Sequence, residues 1–397
     1  MARSEESYSE AANTLLVSCP LCRCTDYKVV LDKPPVHIWD DEPDGEGVPD
    51  RFRCMLHQCV RCRHVYEPVD ETLLDLFRRI YESPHAQGPS AMGHGKWGMD
   101  RASAAFLDTV DTHRYQSALE IGCGDGFLLR ELKKRGYKRL LGIEPSTTAQ
   151  EAVGDGIEIL NQFVDTRAKL AEPFDLIFAI AVFEHLPDVI RMMDFCRRNI
   201  SANGTIYVAV PNAEIALANA DPGLFTHQHL HCFTAPVLRN LFGGARFRVT
   251  SLESTPDALK VFAAPHDGQG SPQETGPSFS DYQPRLDAVL ARLTRRLTGN
   301  RTIVHGACNA LNNITGWIDG RFVLADNDEN RQGKTYFGRR VHAVADLDLS
   351  AFDTVMIVPL AYVEAITEGY RSHGFRGDVV TVADYAKAAG THLDRKG

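Results

Sequence analysis

The chain has 397 residues, with 43 Lys plus Arg against 52 Asp plus Glu, for a formal net charge of −9. That length favours two or three domains, and the negative balance disfavours nucleic acid as a main partner, because its phosphate backbone would be repelled. A composition of 44% hydrophobic and 24% charged residues excludes a disordered or fibrous chain, and the longest apolar run, residues 176–183, is far shorter than the ~20 residues a bilayer helix needs.

The chain opens on MARSEESYSEAANTLL, polar and acidic, without the basic start and apolar centre of a secretory signal, so a cytoplasmic location is expected. Ten cysteines are too sparse for a disulfide scaffold, yet six of them precede residue 63. Cys19-Pro-Leu-Cys22 and Cys59-Val-Arg-Cys62 form two CxxC pairs separated by 36 residues. Each pair can place two thiolates on one ion, and two pairs complete the closed S₄ shell of a structural zinc. Cys24, Cys54, His57 and His64 are further residues of ligand type nearby. Residues 40–50 (DDEPDGEGVPD) read as a solvated acidic loop. The apolar content of residues 1–75 is too thin for a core, so this part is expected to be a zinc-binding module held together by its metal.

Residues 76–116 read as a helical connector or lid, with two helical segments flanking the Pro/Gly-rich stretch SPHAQGPSAMGHGKWG. From 117 to 264, short apolar strands at 118–122, 139–144, 174–182, 205–211, 247–252 and 259–263 alternate with helical patterns, which predicts an α/β domain with a parallel sheet. Residues 265–284, half of them Pro, Gly or Ser, read as a linker. Alternation resumes in 285–397, with strands at 302–305, 322–325, 341–345 and 354–359 and a helix at 361–372, so a smaller C-terminal α/β domain is expected.

The richest stretch is Ala118-Leu-Glu-Ile-Gly-Cys-Gly-Asp-Gly126, a strand running into glycines and then a helix. Glycines there let the backbone approach a ligand closely. Glu144 ends the next strand, twenty residues after Gly124, where a carboxylate can accept hydrogen bonds from both hydroxyls of a ribose. Glu120 and Asp125 would repel a pyrophosphate, whereas Glu120 can face the ammonium of a methionine moiety. S-adenosylmethionine is therefore expected over a dinucleotide. The stretch at 179–187 (AIAVFEHLP) resembles the "EHL" segment of class I methyltransferases, at a strand end where open sheets bind ligands. The expected cofactor residues are Glu120, Gly122, Cys123, Gly124, Asp125, Gly126, Glu144, Pro145, Ser146, Ala179, Ile180, Ala181 and His185.

Taken together, CxxC…CxxC, EIGCGDG, IEPS, FEHLPD, the His-rich HQHLHCFT and the trailing α/β domain resemble the zinc-containing nucleotide-sugar C-methyltransferases of deoxysugar biosynthesis. The resemblance spans nearly the whole chain. It implies a zinc module, a Rossmann-like class I methyltransferase core and a smaller Rossmann-like C-terminal domain. The implied reaction is methylation of a carbon beside a ketone, on a nucleotide-linked keto-sugar. A Tyr and a Glu closely precede the catalytic His of that family, whereas this chain has Thr226 and Gln228 before His229.

His227, His229 and His231 alternate, and would share one face of an extended segment. Three roles are open to them: a metal cluster, a structural segment with Thr234 as helix cap and Pro236 in the first turn, or His229 as a general base. The resemblance supports the last role, with His227 and Gln228 orienting the acceptor and Tyr81 from the connector as a further candidate. In the C-terminal part, His305-Gly-Ala-Cys-Asn309 follows a strand and Asp326 closes the next, imitating a nucleotide-binding crossover without its glycine fingerprint; a scaffold for the acceptor or for a dimer partner is the expected role. The basic run at 292–301 reads as a solvated helix face. Two rival functions stand beside the first: an O- or N-methyltransferase of a small-molecule natural-product intermediate, and a non-catalytic S-adenosylmethionine-binding protein whose zinc module binds a partner.

Overall fold

The computed structural model describes residues 18–32, 36–37, 51–53, 55–82, 105–110, 114–146, 156–218, 220, 228–255, 258–268, 275–299, 301–315, 318, 320–359, 362–382 and 384. The elements begin with β1 (Tyr27–Asp32), β2 (Val36–His37), β3 (Arg51–Phe52), β4 (Met55–Cys59), β5 (Val65–Tyr66) and α1 (Glu71–Glu82). Next come β6 (Ser117–Ile121), α2 (Phe127–Lys134), β7 (Arg139–Ile143), β8 (Glu158–Leu160), β9 (Phe174–Ile180), α3 (Val189–Asn199) and β10 (Ile200–Pro211). They are followed by α4 (Ala213–Ala218), β11 (His231–Cys232), α5 (Ala235–Gly244), β12 (Phe247–Ser254), β13 (Ala258–Pro265) and α6 (Tyr282–Gly299). The last are β14 (Thr302–His305), α7 (Asn309–Thr315), β15 (Phe322–Ala325), β16 (Thr335–Tyr336), β17 (Arg339–His342), β18 (Thr354–Ile357), α8 (Val363–Ser372) and β19 (Asp378–Thr381).

Two compact units are formed. One comprises Met1–Tyr27, Gln58–Asn212 and Leu230–Ser278, and the other Lys28–His57, Ala213–His229 and Phe279–Gly397. Residues 28–57, which the sequence reading places inside the zinc-binding module, thus count with the second unit.

The first unit is built on a seven-stranded sheet in the order β12-β13-β10-β9-β6-β7-β8. Pairings of β6 with β7 and β9, of β7 with β8 and of β9 with β10 are parallel. β13 alone is reversed: it runs antiparallel to both β10 and β12. All five residues of β6 are buried, as a central strand covered on both faces requires. On one face Leu119, Ile121, Ile143, Ile177 and Val208 pack with Met193, Leu238 and Phe242 from α3 and α5. The opposite face joins Ala118, Phe178 and Tyr207 to Phe106, Leu128 and Leu132. Truncating such a side chain, Leu119→Ala for example, costs ~2–5 kcal/mol.

Local chemistry fixes the register of these strands. The Asp175 carboxylate accepts N–H bonds from Gln116 and Ser117 at 3.0 and 3.1 Å, tying the starts of β6 and β9 together. Asp188 caps α3 by accepting from the Arg191 N–H at 3.0 Å. Thr234 is the cap position of α5, with Pro in its first turn as expected, although the Thr234 hydroxyl makes no cap bond.

The second unit carries a six-stranded sheet in the order β16-β17-β15-β14-β18-β19. β14 pairs in parallel with β15 and β18, β15 with β17, and β18 with β19. Its core joins Ile303, Val355, Ile357, Tyr370 and Phe375. The chain is therefore a mixed α/β protein with an N-terminal four-cysteine cluster, a central Rossmann-like core and a smaller C-terminal sheet domain, as its residue pattern predicts.

Candidate cofactor and metal sites

Cys19, Cys22, Cys59 and Cys62 converge, with all four sulfurs within 4.8 Å of one another. Cys19 Sγ lies 3.6 Å from Cys62 Sγ, and Cys22 Sγ lies 3.5 Å from Cys59 Sγ. Four thiolates at the usual zinc–sulfur distance of about 2.3 Å sit about 3.8 Å apart in a tetrahedron, so this donor set fits that ion. Hydrogen bonds to Cys59 and Cys62, with burial, hold the Cys19 thiol well above its ordinary range, while bonds from Cys19 and Cys62 hold Cys59 well below it.

The two knuckles are built alike. Arg23 N–H bonds Cys19 O at 2.9 Å and Cys19 N–H bonds Cys24 O at 2.7 Å; Arg63 N–H bonds Cys59 O at 3.1 Å and Cys59 N–H bonds His64 O at 2.9 Å. Arg23 and Arg63 both take left-handed backbone, with φ of 58° and 64°, conformations that favour glycine. Neither Cys24 nor His64 joins the cluster: the Cys24 thiol donates to Asp26 O, and the His64 ring bonds His231. Cys54 lies outside the described residues.

At the carboxyl ends of β6, β7 and β9 lies the glycine loop. Gly122, Gly124 and Gly126 take φ of 74°, 51° and 75°. A Cβ on Gly122 would come within 2.5 Å of Val182, so the loop's approach to the end of β9 demands glycine. Gly122 N–H bonds Ile143 O at 2.8 Å. Glu144, just past β7, is 9% exposed and holds the loop by both carboxylate oxygens: Oε2 accepts from Gly124 N–H at 3.0 Å and Oε1 from Ser146 N–H at 2.9 Å. Each oxygen keeps a second lone pair for a ligand hydroxyl. Asn161 Nδ2 bonds the carbonyls of Glu144 and Ser146, which fixes the turn through Pro145. Asp125 accepts from Phe127 N–H at 3.0 Å at the start of α2 and lies 3.4 Å from Arg130.

Glu120 is the chemically unsettled group. It is buried, and its Oε2 has no hydrogen-bond partner among the described residues. Burial first, then the charges of Asp125 and Glu144, push its carboxyl well above the ordinary range. An ammonium group brought beside it would remove that penalty, so an orphaned acid next to a glycine loop fits the methionine end of S-adenosylmethionine.

β9 ends at Ile180, after the buried Ala179, and breaks at Ala181, whose φ of 54° is left-handed. A tight turn, Phe183–His185, follows. Glu184 in that turn is 1% exposed, with both carboxylate oxygens lacking hydrogen-bond partners among the described residues, and burial pushes it up to about 8. His185 Nε2 stands 3.8 Å from Glu184 Oε1. The sequence points to His185 but not to Glu184 as a cofactor residue, because one acid between Phe183 and His185 carries no signal of its burial.

The histidine segment divides. Gln228 lies in a turn, so the extended alternation expected of 227–231 does not run through it. Gln228 and His229 are half-buried, and His229 is the last residue of its stretch of the second unit. His227 lies outside the described residues, and Tyr81 lies in the last turn of α1. Both ring nitrogens of His231 are engaged within the protein: Nε2 bonds Leu186 O at 2.8 Å and Nδ1 bonds His64 Nε2 at 2.9 Å. Burial drives its ring down to about 4, which keeps it neutral.

In the second unit the same loop device recurs. Gly306, with φ of 113°, bonds Ala325 O through its N–H at 2.9 Å, and a Cβ there would come within 2.5 Å of Pro359. Asp326 accepts from Ala307 N–H at 2.8 Å and Asp328 N–H at 2.9 Å. His305, by contrast, is buried and bonded to Tyr370 Oη at 3.0 Å.

A seven-stranded sheet reversed only at β13, a glycine loop after β6 and an acid after β7 define the class I S-adenosylmethionine-dependent methyltransferase fold. A methyltransferase-domain family matches residues 97–252. A ubiquinone biosynthesis O-methyltransferase of Rhizobium etli is 29% identical over 129 residues, covering 31% of this chain and 49% of that protein. The C-methyltransferase NovU of Streptomyces niveus is 24% identical over 268 residues, covering 62% of this chain and 60% of that protein. Among solved structures, an S-adenosylmethionine-dependent methyltransferase from Mesorhizobium loti is 19% identical over 42% of this chain and all of that one, with a TM-score of 0.36. The chain thus spans about half to three-fifths of the length of these two curated relatives. Among the described residues no helix is long and apolar enough to cross a membrane.

Proposed function

We propose that this chain transfers a methyl group from S-adenosylmethionine to a carbon of a nucleotide-linked keto-sugar, with zinc at the four cysteines. The observation that carries methyl-donor binding is the orphaned Glu120 carboxyl beside the Gly122–Gly124 loop, with Glu144 behind it. Carbon as the accepting atom is supported by the match to NovU, which covers 268 residues where the O-methyltransferase match covers 129.

The donor's sulfonium supplies the leaving-group activation when it is bound. Glu120 would hold the donor's ammonium, Glu144 its ribose, and the N–H groups and turns at Gly122, Cys123, Asp125, Gly126, Ser146 and Ala179–Ala181 would shape its bed. What remains for the chain is to align the acceptor and remove a proton. A proton beside a ketone leaves too slowly at neutral pH unaided, and His229 is the base we assign to it, with Gln228 and His227 orienting the acceptor oxygen. Tyr81 is a further candidate for the same role. The sulfurs Cys19, Cys22, Cys59 and Cys62 leave no open position on a zinc ion, so that ion's role would be structural.

The test is transfer of a labelled methyl group to a panel of nucleotide-linked keto-sugars, with the new group located by carbon NMR. A carbon-bound methyl supports the reading, and His229→Ala should then keep donor binding while losing ~10²–10⁴ in turnover. An oxygen-bound methyl would favour the second reading, an O-methyltransferase, which the Rhizobium match supports. A donor complex with no transfer to any acceptor would leave a binding protein.

A further inference from the structure

Two histidines with no part in that chemistry lie side by side within the first unit. His64, two residues past Cys62, and His231, in β11, are 0% and 3% exposed. β11 pairs with β5, placing His231 opposite Tyr66. The two imidazoles stack with centroids 5.2 Å apart, and Tyr66 and Phe233 close the stack at 5.8 and 5.5 Å from His64.

Their hydrogen bonds fix both tautomers. Leu186 O can only accept, so His231 Nε2, 2.8 Å away, carries a proton. In the neutral ring Nδ1 is then the acceptor, and His64 Nε2, 2.9 Å from it, must be the donor. His64 Nδ1 is left as a bare acceptor, buried with no hydrogen-bond partner among the described residues. The donors therefore point one way, from His64 through His231 to Leu186.

Each end of this chain is anchored in something functional. His64 O accepts from Cys59 N–H at 2.9 Å, so the residue is tied into the second metal knuckle. Leu186 closes the Phe183–His185 turn by donating its N–H to Phe183 O. Phenylalanine in place of either ring would fill the same aromatic stack; the imidazoles add direction and hydrogen bonding that packing alone does not need.

We propose that His64 and His231 are positioning residues that couple the four-cysteine knuckles to the turn bearing Glu184 and His185 at the donor edge of the sheet. This rests on the reading of that edge as the methyl-donor site. Coupling is reciprocal: if the knuckles hold the turn for the donor, a bound donor must tighten metal binding by the same factor.

The experiment uses the zinc-loaded full chain and S-adenosylhomocysteine. Calorimetry first measures its binding; absence of binding to the wild type would overturn the donor reading and this proposal with it. Given binding, the zinc dissociation constant, from equilibrium competition with a chromogenic chelator, should be at least about fivefold lower with the ligand saturating than without it. His231→Gln keeps an amide donor near the Nε2 position but no acceptor at Nδ1. By the same reciprocity it should bind the ligand about fivefold more weakly than the wild type and lose the ligand's effect on zinc affinity. His231→Asn, lacking the donor to Leu186, should weaken the ligand about tenfold. Nitrogen NMR of the wild type should show two neutral rings protonated at Nε2. A zinc affinity indifferent to bound ligand in the wild type, or one still tightened by it in a folded His231→Gln, would overturn the proposal.

Discussion

Replacing Glu144 by Ala tests the donor site at its firmest point. The carboxylate is 9% exposed and accepts two main-chain N–H bonds, from Gly124 at 3.0 Å and Ser146 at 2.9 Å. Hydrogen bonds to a charged acceptor contribute ~1.5–3 kcal/mol each, so the loop loses at least about 3 kcal/mol of tethering, less whatever water restores. On the ligand side, two ribose hydroxyls would lose bonds of the same kind. The lower end, about 3 kcal/mol, corresponds to roughly a hundredfold weaker binding. Calorimetric titration with S-adenosylmethionine measures this directly, on protein shown to be folded by circular dichroism. Glu144→Gln is the informative companion: its single carbonyl oxygen can accept from only one of the two N–H groups while its NH₂ faces the other, so it should lose part of the same affinity despite its matched shape. A folded Glu144→Ala protein that binds within about threefold of wild type would refute the reasoning.

Metal analysis of purified protein should give one zinc per chain, and Cys59→Ser combined with Cys62→Ser should abolish it; unchanged content in the double variant would remove the assignment. Glu184 gives a pH dependence whose sign is fixed by its burial: between about 4.5, where the unfolded carboxyl titrates, and about 8, where the folded one does, the native state holds the extra proton. Stability should therefore be greatest below that window and fall as pH rises through it, by up to about 1.4 kcal/mol per pH unit. Urea midpoints from pH 5 to 8 measure the slope, which Glu184→Gln should flatten; an equal slope in the variant would show that Glu184 is not its source. Arg23, exposed and left-handed, should gain from glycine: Arg23→Gly is expected to raise stability by ~0.5–1 kcal/mol in chemical denaturation, and a loss would mean its side chain matters more than its backbone.

The parts of this molecule legible in its sequence are those governed by near neighbours. β14 and β15 fall where the apolar runs begin and end, and β6 and β7 stop one residue short of expectation because Gly122 and Glu144 already belong to the loop. β8 escapes notice because it is three residues long and only partly buried, so its apolar run is too short to register. β10 starts at Ile200, before a polar stretch that hides its extension, and the strand expected at 341–345 is displaced because β17 begins at Arg339, pairing back on β16. The four cysteines and the glycine loop announce their sites by spacing. Other features need the fold: His231 stands in an alternating run that suggests one shared role, yet its partner is His64, 167 residues away. Glu120 can be placed beside a ligand from the sequence, but that its Oε2 is left without a partner is a property of packing alone.

The paired knuckles have a thermodynamic consequence beyond their geometry. Their four sulfurs all belong to the first compact unit, yet the chain between them, residues 28–57, counts with the second. An ion gripping both knuckles closes a loop whose two ends leave from one place, with 36 residues between Cys22 and Cys59. Cross-linking a loop of that size removes about 4 kcal/mol of conformational freedom from the unfolded chain. Chelation would therefore act through chain entropy: the cost of pairing β1 with β4 would rise, although the residues between Cys22 and Cys59 supply none of the metal's ligands.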